Sequence, residues 1–169
     1  MNQDNDRFRH ELASLLPDLR AFSRFLARDP TAADDLVQEA LVRALRAESQ
    51  WQQGTSLRAW SFSILRNTFY EGRRRGRVEQ RVLEAVAPRE EQAEEARQHA
   101  RMEVQGLDHA LSSLPAEQRE ALVLVGALGF SYEEGAKVAN VAVGTLKARV
   151  SRARRNLASR FGEQAPPEA

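Results

Sequence analysis

The residues with the clearest chemical use are the cations near the carboxyl end of the chain. From Leu146 to Arg160 the sequence contains no acidic residue. The cations of this stretch are Lys147, Arg149, Arg152, Arg154, Arg155 and Arg160. Uncompensated positive charge of this density fits the phosphate backbone of a nucleic acid. A solvated basic helix on an ordinary helical bundle is the alternative interpretation.

Two predicted helices and a tight turn would position these cations. Ser131 and Glu134 have the spacing of a capping box, which predicts a helix start. Asn140 lies at the predicted turn and tolerates a left-handed backbone. The second helix has one apolar stripe, formed by Leu146, Val150, Ala153 and Leu157. The pattern predicts a helix-turn-helix, whose second helix can lie in the DNA major groove.

A second group of nucleic-acid-type residues follows a helix predicted to begin at Ser56. The segment Asn67–Tyr70 combines an amide, a hydroxyl and two aromatic rings. It is followed by the arginines Arg73, Arg74, Arg75 and Arg77. The rings can stack on bases, the amide can bond a base edge and the arginines can hold phosphates. Alternatively the rings close the core, which is the interpretation we favour for Phe69.

Acidic and amide side chains cluster near the start of the second predicted helix, at residues 32–47. They are Asp34, Asp35, Gln38 and Glu39. Thr31, with Asp34 three residues later, predicts the helix cap, and the buried face is predicted to include Leu45. The helix macrodipole accounts for Asp34 and Asp35. Because Gln38 and Glu39 gain less from it, an acidic patch for a partner remains a rival explanation.

The composition excludes several classes of protein. The chain of 169 residues has no cysteine and a net charge of +1, so disulfides and thiolate metal sites are excluded. His10, His99 and His109 are scattered, and we expect no catalytic residue, no metal and no cofactor. No apolar run is long enough to span a membrane, and the N-terminus lacks the apolar core of a signal peptide. We therefore expect a cytoplasmic protein.

Helical spacing without strand alternation predicts an all-α chain of two small helical domains. The first domain is predicted at residues 1–82, with a kink or break at Pro17 in its first helix. An acidic, flexible linker is predicted at 83–104. The helix-turn-helix domain is predicted at 105–162 and a disordered tail at 163–169.

The chain resembles the extracytoplasmic-function (ECF) sigma factors of the sigma-70 family. ADDLVQEALVRAL and LRAWSFSILRNTFYEGRRR look like parts of region 2 of that family. LPAEQREALVLVGALGFSYEEGAKVANVAVGTLKARVSRAR looks like region 4. The motifs LRAW and LRNTFY are most similar to those of the general-stress-response, EcfG-like branch. The resemblance implies a subunit that directs core RNA polymerase to promoters and helps melt the minus-ten element.

The resemblance also implies a role for individual residues. The surface that docks on the β′ clamp helices of the polymerase is matched by Asp34, Asp35, Gln38 and Glu39. The loop that captures a flipped base of the minus-ten element is matched by Asn67, with Thr68 and Tyr70 nearby. The adjoining DNA backbone would be held by Arg73, Arg74, Arg75 and Arg77. The minus-thirty-five element would be contacted by Thr145, Lys147, Ala148, Arg149, Ser151 and Arg152. We add Arg155 to these predicted DNA-binding residues.

The implied partners are core RNA polymerase, through its β′ clamp helices and β flap, promoter DNA, and an anti-sigma factor of the NepR type. A sigma-like decoy and a stand-alone helix-turn-helix regulator are the alternatives.

Three positions depart from the family pattern. Gly135 replaces an apolar residue, Asn140 replaces a glycine, and Ala142 lacks a capping side chain. We expect Gly135 and Ala142 to weaken the C-terminal domain.

Overall fold

The N-terminal unit begins with two helices where the apolar spacing suggests one. In the computed structural model, which describes residues 3–85 and 107–162, α1 runs over Gln3–Ser14 and α2 over Leu16–Ala27. Pro17 lies in the first turn of α2, where its missing N–H is not needed. The break predicted at Pro17 is therefore confirmed. Arg28, the residue after α2, has a left-handed φ of 60° and caps the helix.

The third helix, α3, spans Pro30–Arg46 and begins earlier than predicted. The side chain of Asp29 accepts a hydrogen bond from the N–H of Ala32 at 2.8 Å. The predicted Thr31 cap is wrong, because Thr31 lies inside the helix and Asp29 is the last residue with an extended backbone.

The longest helix, α4, covers the 28 residues Leu57–Glu84. The helix start predicted at Ser56 is confirmed, and the Ser56 side chain caps it by accepting from the N–H of Ala59 at 3.0 Å. A short 3₁₀ turn, Glu48–Gln50, lies between α3 and α4. The helix is continuous through Asn67, so the loop expected around that residue is wrong. From Gly72 to Ala85 every residue of this segment is exposed.

Aromatic side chains hold the N-terminal unit together. Phe8 of α1 lies 5.7 Å from Trp51 and 6.1 Å from Trp60, measured between ring centroids. Phe22 of α2 stacks on Phe62 of α4 at 5.3 Å. Because these contacts involve the first half of α4, they fix that half and leave its second half projecting from the core.

Residues 107–162 of the C-terminal unit form four α-helices and one π-helical turn. α5 is Leu107–Ser112, α6 is Ala116–Leu122, α7 is Tyr132–Ala139 and α8 is Val143–Gly162. The π-helical turn, Val123–Ala127, follows α6. The predicted apolar stripe of α8 is confirmed for Leu146, Val150 and Ala153, which are buried, whereas Leu157 is half-buried.

The connection between α7 and α8 has the predicted helix-turn-helix features. The Ser131 side chain accepts from the N–H of Glu134 at 3.1 Å, and Asn140 has a left-handed φ of 55°. A Cβ built on Gly135 would lie 2.9 Å from Cδ2 of Leu146. Leu146 therefore occupies the space beside Gly135, and the glycine allows α7 and α8 to approach closely.

The all-α class is confirmed, since the described ranges contain helices and no strand. Two compact units are separated near residue 100. Leu83 and Glu84 of the predicted linker continue α4, whereas most of the linker and the predicted tail lie outside the described residues. Within residues 3–85 and 107–162, no helix has the length and apolar character needed to cross a bilayer.

Candidate nucleic-acid and protein interfaces

One exposed row of α4 carries the amide and two of the arginines that the sequence singles out. Asn67, Glu71, Arg74 and Arg75 follow one another at helical spacing and form what we call the α4 row. Asn67 and the two arginines are exposed, and Glu71 is half-buried. Arg73 and Arg77 are also exposed, on adjoining faces of the same helix. The row can therefore offer an amide and two cations to a nucleic acid.

The aromatic residues beside this row are stacked with arginines. Phe69 and Tyr70 are both half-buried and meet edge to face at 5.2 Å. The guanidinium of Arg66 lies 4.6 Å from the Tyr70 ring centroid, and that of Arg73 lies 5.7 Å from the Phe69 centroid. A base that stacks on either ring face would compete with a cation–π contact.

Thr68 occupies a different environment from its neighbours. It is buried, and its hydroxyl donates a hydrogen bond to the carbonyl oxygen of Ile64 at 2.7 Å. Its side chain therefore lies in the helix packing, while Asn67 is exposed. The structure does not bring Thr68 together with the α4 row.

Ion pairs connect the α4 row to α3. Arg43 of α3 donates from Nη1 to Glu71 Oε2 at 2.6 Å and from Nε to Glu39 Oε1 at 2.9 Å. The hydrogen bond from Arg43 lowers the pKa of Glu71, and the nearby charges of Arg75 and Arg74 lower it further. The pKa of Arg43 is raised, chiefly by its bond to Glu71. Arg43 was missed at the sequence level, because no sequence pattern pairs α3 with α4.

The polar residues predicted on α3 are all exposed. Asp34, Asp35, Gln38 and Glu39 form what we call the α3 row. Two apolar side chains continue the same face, Val42 with 41% and Leu45 with 44% exposure. The predicted burial of Leu45 is wrong, and Val42 was missed although it follows Gln38 by one helical turn. The face thus combines carboxylates in its first part with exposed apolar side chains at its C-terminal end.

The exposed face of α8 lies opposite its buried stripe. Thr145, Lys147, Ser151, Arg152 and Arg155 are exposed, and Ala148 is half-buried among them. Ala148, Arg152 and Arg155 lie on one helical row, so a small side chain adjoins two cations. Lys147 lies 5.5 Å from the ring centroid of Tyr132 on α7.

Arg149 differs from the other predicted contacts of α8. Its side chain is only 18% exposed, and its Nη2 lies 3.3 Å from Oε2 of Glu117 on α6. Asn156 makes a second link, donating from Nδ2 to Gln118 Oε1 at 2.9 Å. These contacts attach α8 to the start of α6. The pairing of Glu117 with Arg149 could not be predicted from the sequence, because the two residues lie far apart along the chain.

Two family profiles match the chain over these surfaces. Sigma-70 region 2 matches residues 12–79, which include the α3 row and the α4 row, and Sigma-70, region 4 matches residues 105–157. The chain is 43% identical over 154 residues to ECF RNA polymerase sigma factor EcfG of Rhodopseudomonas palustris (strain TIE-1). That alignment covers 91% of this chain and 84% of the relative. This chain is an ECF sigma factor.

Solved structures agree with this membership. The sigma factor is similar to the structure of RpoE in complex with the anti-sigma factor NepR from Bartonella quintana, with a TM-score of 0.72 and 41% identity. That similarity covers 94% of this chain and 99% of the matched chain. The resemblance to the EcfG-like branch is thereby supported by the similarity to EcfG. As a member of this family, the sigma factor is a transcription initiation factor.

A third similarity is limited to the fold. A complex of the anti-anti-sigma factor PhyR with NepR from Bartonella quintana matches the sigma factor with a TM-score of 0.56 and 16% identity. The match covers 88% of this chain and 48% of the other.

In the part of the sigma factor that the structure describes, no group of three or more His, Cys, Asp or Glu side chains is placed to hold a metal ion.

Proposed function

We propose that this sigma factor directs core RNA polymerase to its promoters by contacting two separate DNA segments. One observation carries the proposal: two compact units each expose a cationic helix face, on α4 and on α8. A transcription initiation factor of the ECF family needs two such surfaces, one for each promoter element. The sigma factor itself would catalyse no reaction.

The α4 row is proposed to act on the minus-ten element. Asn67 would bond the edge of a base that has left the duplex, and Arg73, Arg74, Arg75 and Arg77 would hold the neighbouring phosphates. Extruding a base costs a few kcal/mol, which these contacts would offset. Tyr70 would wall the pocket together with the Arg66 side chain stacked on it, and buried Thr68 would support the helix without contacting DNA.

The exposed face of α8 is proposed to lie in the major groove of the minus-thirty-five element. Arg152 and Arg155 would reach base edges or phosphates, and Ala148 would allow the helix to approach closely. Thr145, Lys147 and Ser151 would contact the DNA at the flanks. Arg149 would act from its ion pair with Glu117, which fixes the guanidinium at the edge of the recognition surface.

Two protein partners are proposed. The α3 row would dock on the β′ clamp helices of core polymerase, and the C-terminal unit would contact the β flap. An anti-sigma factor of the NepR type would hold the protein inactive, as supported by its similarity to a sigma factor solved in complex with NepR. The role would be a general stress response in the cytoplasm, which is supported by the similarity to EcfG.

Reconstitution with core RNA polymerase tests the proposal. The purified chain is first tested for co-elution with core enzyme, and the resulting holoenzyme is then used for run-off transcription over the promoters of its own genome. We expect specific transcripts that core enzyme alone does not make. Co-elution without any transcript would favour the alternative of a sigma-like decoy, and DNA binding without core enzyme would favour a stand-alone regulator.

A further inference from the structure

A carboxylate interrupts the cationic surface of α4. Glu71 is the only acidic residue between Asn67 and Arg77 in the sequence. It lies one helical turn from Asn67 and one turn from Arg74 and Arg75, so all four side chains share a face. A negative charge at this point repels the phosphates that the neighbouring arginines attract.

Arg43 is placed to neutralise that charge. Its Nη1 lies 2.6 Å from Glu71 Oε2, and its Nε is bonded to Glu39, so two contacts fix the orientation of the guanidinium. The pKa of Glu71 is lowered, chiefly by this hydrogen bond. The carboxyl therefore stays ionised, and its charge is offset in part by Arg43, which Glu71 shares with Glu39, rather than by protonation.

We propose that Arg43 is a positioning residue for promoter opening, which pairs with Glu71 so that the DNA strand can approach Asn67 and the α4 arginines. Arg43 acts through Glu71 and needs no contact with DNA. The inference rests on the function proposed for the α4 row and adds a residue of α3 to it. Without Arg43, the phosphates would meet a carboxylate in the middle of the row that has lost its hydrogen-bonded cation.

A purely structural role of the same ion pair predicts a different outcome. If Arg43 only joins α3 to α4, loss of either partner weakens the packing, and removing both cannot restore function. If Arg43 neutralises Glu71, removing the carboxylate as well restores DNA affinity, even where stability is not recovered. A double-mutant comparison therefore separates the two roles.

The test uses full-length Arg43→Gln, Glu71→Gln and the double variant, each assembled with core polymerase. Glutamine keeps much of the arginine volume and a donor amide, so the fold is expected to persist. Affinity is measured on a fork-junction DNA from a promoter that the unmodified holoenzyme transcribes. We expect Arg43→Gln to weaken binding about three- to tenfold at low salt, and the double variant to bind within about twofold of Glu71→Gln.

Arg46→Gln is the matched control, because it removes the same charge from an exposed site one turn further along α3. We expect it to bind as the unmodified protein does. Unchanged binding by Arg43→Gln, or a double variant as weak as Arg43→Gln, would overturn the proposal. Loss of core binding by Arg43→Gln would do the same, by assigning Arg43 to the docking surface. An unmodified holoenzyme that transcribes nothing would instead overturn the proposed function.

Discussion

At the scale of single residues, exposure and pairing decide which polar side chains can contact DNA. Asn67 and Thr68 are adjacent in sequence, yet one is exposed and the other is buried against its own helix. Arg149 and Arg152 are one turn apart on α8, yet the first is paired with Glu117 and the second is exposed. The proposed DNA contacts therefore differ in how directly each can act.

Replacing Asn67 tests the proposed base contact. Asn67→Ala removes an exposed amide without disturbing the core, so we expect binding to core polymerase to be unchanged. Strand opening at the minus-ten element should fall about tenfold, the effect of losing one hydrogen bond of ~1.5 kcal/mol. Permanganate reactivity of the opened strand measures the effect. Gln80→Ala, an exposed amide further along α4, is the control, and equal opening by the two variants would contradict the assignment.

Replacing Arg152 tests the proposed recognition helix. Arg152→Ala should weaken binding of the holoenzyme to the upstream element by ~1–3 kcal/mol, because an exposed guanidinium on the outer face of α8 is lost. Titration with duplex DNA that carries only the upstream element measures the change. Arg160→Ala removes the same charge two turns further along and should have little effect. An affinity unchanged by Arg152→Ala would remove this residue from the interface.

At the scale of secondary-structure elements, the projecting half of α4 is the feature that sequence patterns describe least well. The family resemblance matched Asn67 to a loop, and apolar periodicity in the sequence stops after Leu65. The structure continues the helix to Glu84. The reason is that arginine, glutamate, glutamine and leucine are strong helix formers. A segment with no buried face therefore gives no periodic signal, although it is helical.

A glycine in this exposed segment provides a test of its helical state. A Cβ on Gly76 would meet no atom within 4 Å, so Gly76→Ala should stabilise the helix by about 0.5–1 kcal/mol. Amide hydrogen exchange of the segment 72–82 should slow roughly two- to fivefold. Gly54→Ala is the contrasting control, since Gly54 has a φ of +87° and should be strained by a side chain. Faster exchange in Gly76→Ala would show that the segment is not helical in solution.

The helix-turn-helix was the element best predicted from the sequence. Its cap at Ser131, its left-handed turn at Asn140 and its buried stripe each follow from a local rule, and each is present. The close packing of Leu146 against Gly135 could not be predicted in the same way. It depends on how two helices cross, which a local pattern does not contain.

At the scale of the whole molecule, the division into two helical units and the family are evident from the sequence, because the relevant motifs are contiguous. The pairs that shape the surfaces are not. Arg43 with Glu71, and Arg149 with Glu117, join different helices and become visible only in three dimensions. Sequence thus identified the residue types of both surfaces, and the structure shows which of them are paired.

The account depends on the two units contacting separate promoter segments within one holoenzyme. Hydroxyl-radical footprinting of the reconstituted holoenzyme on a promoter that it transcribes measures this directly. We expect two protected segments, near minus ten and minus thirty-five, neither of which core enzyme alone protects. The DNA between the two segments should stay exposed. Protection of one segment only, or a pattern identical to that of core enzyme alone, would contradict the account.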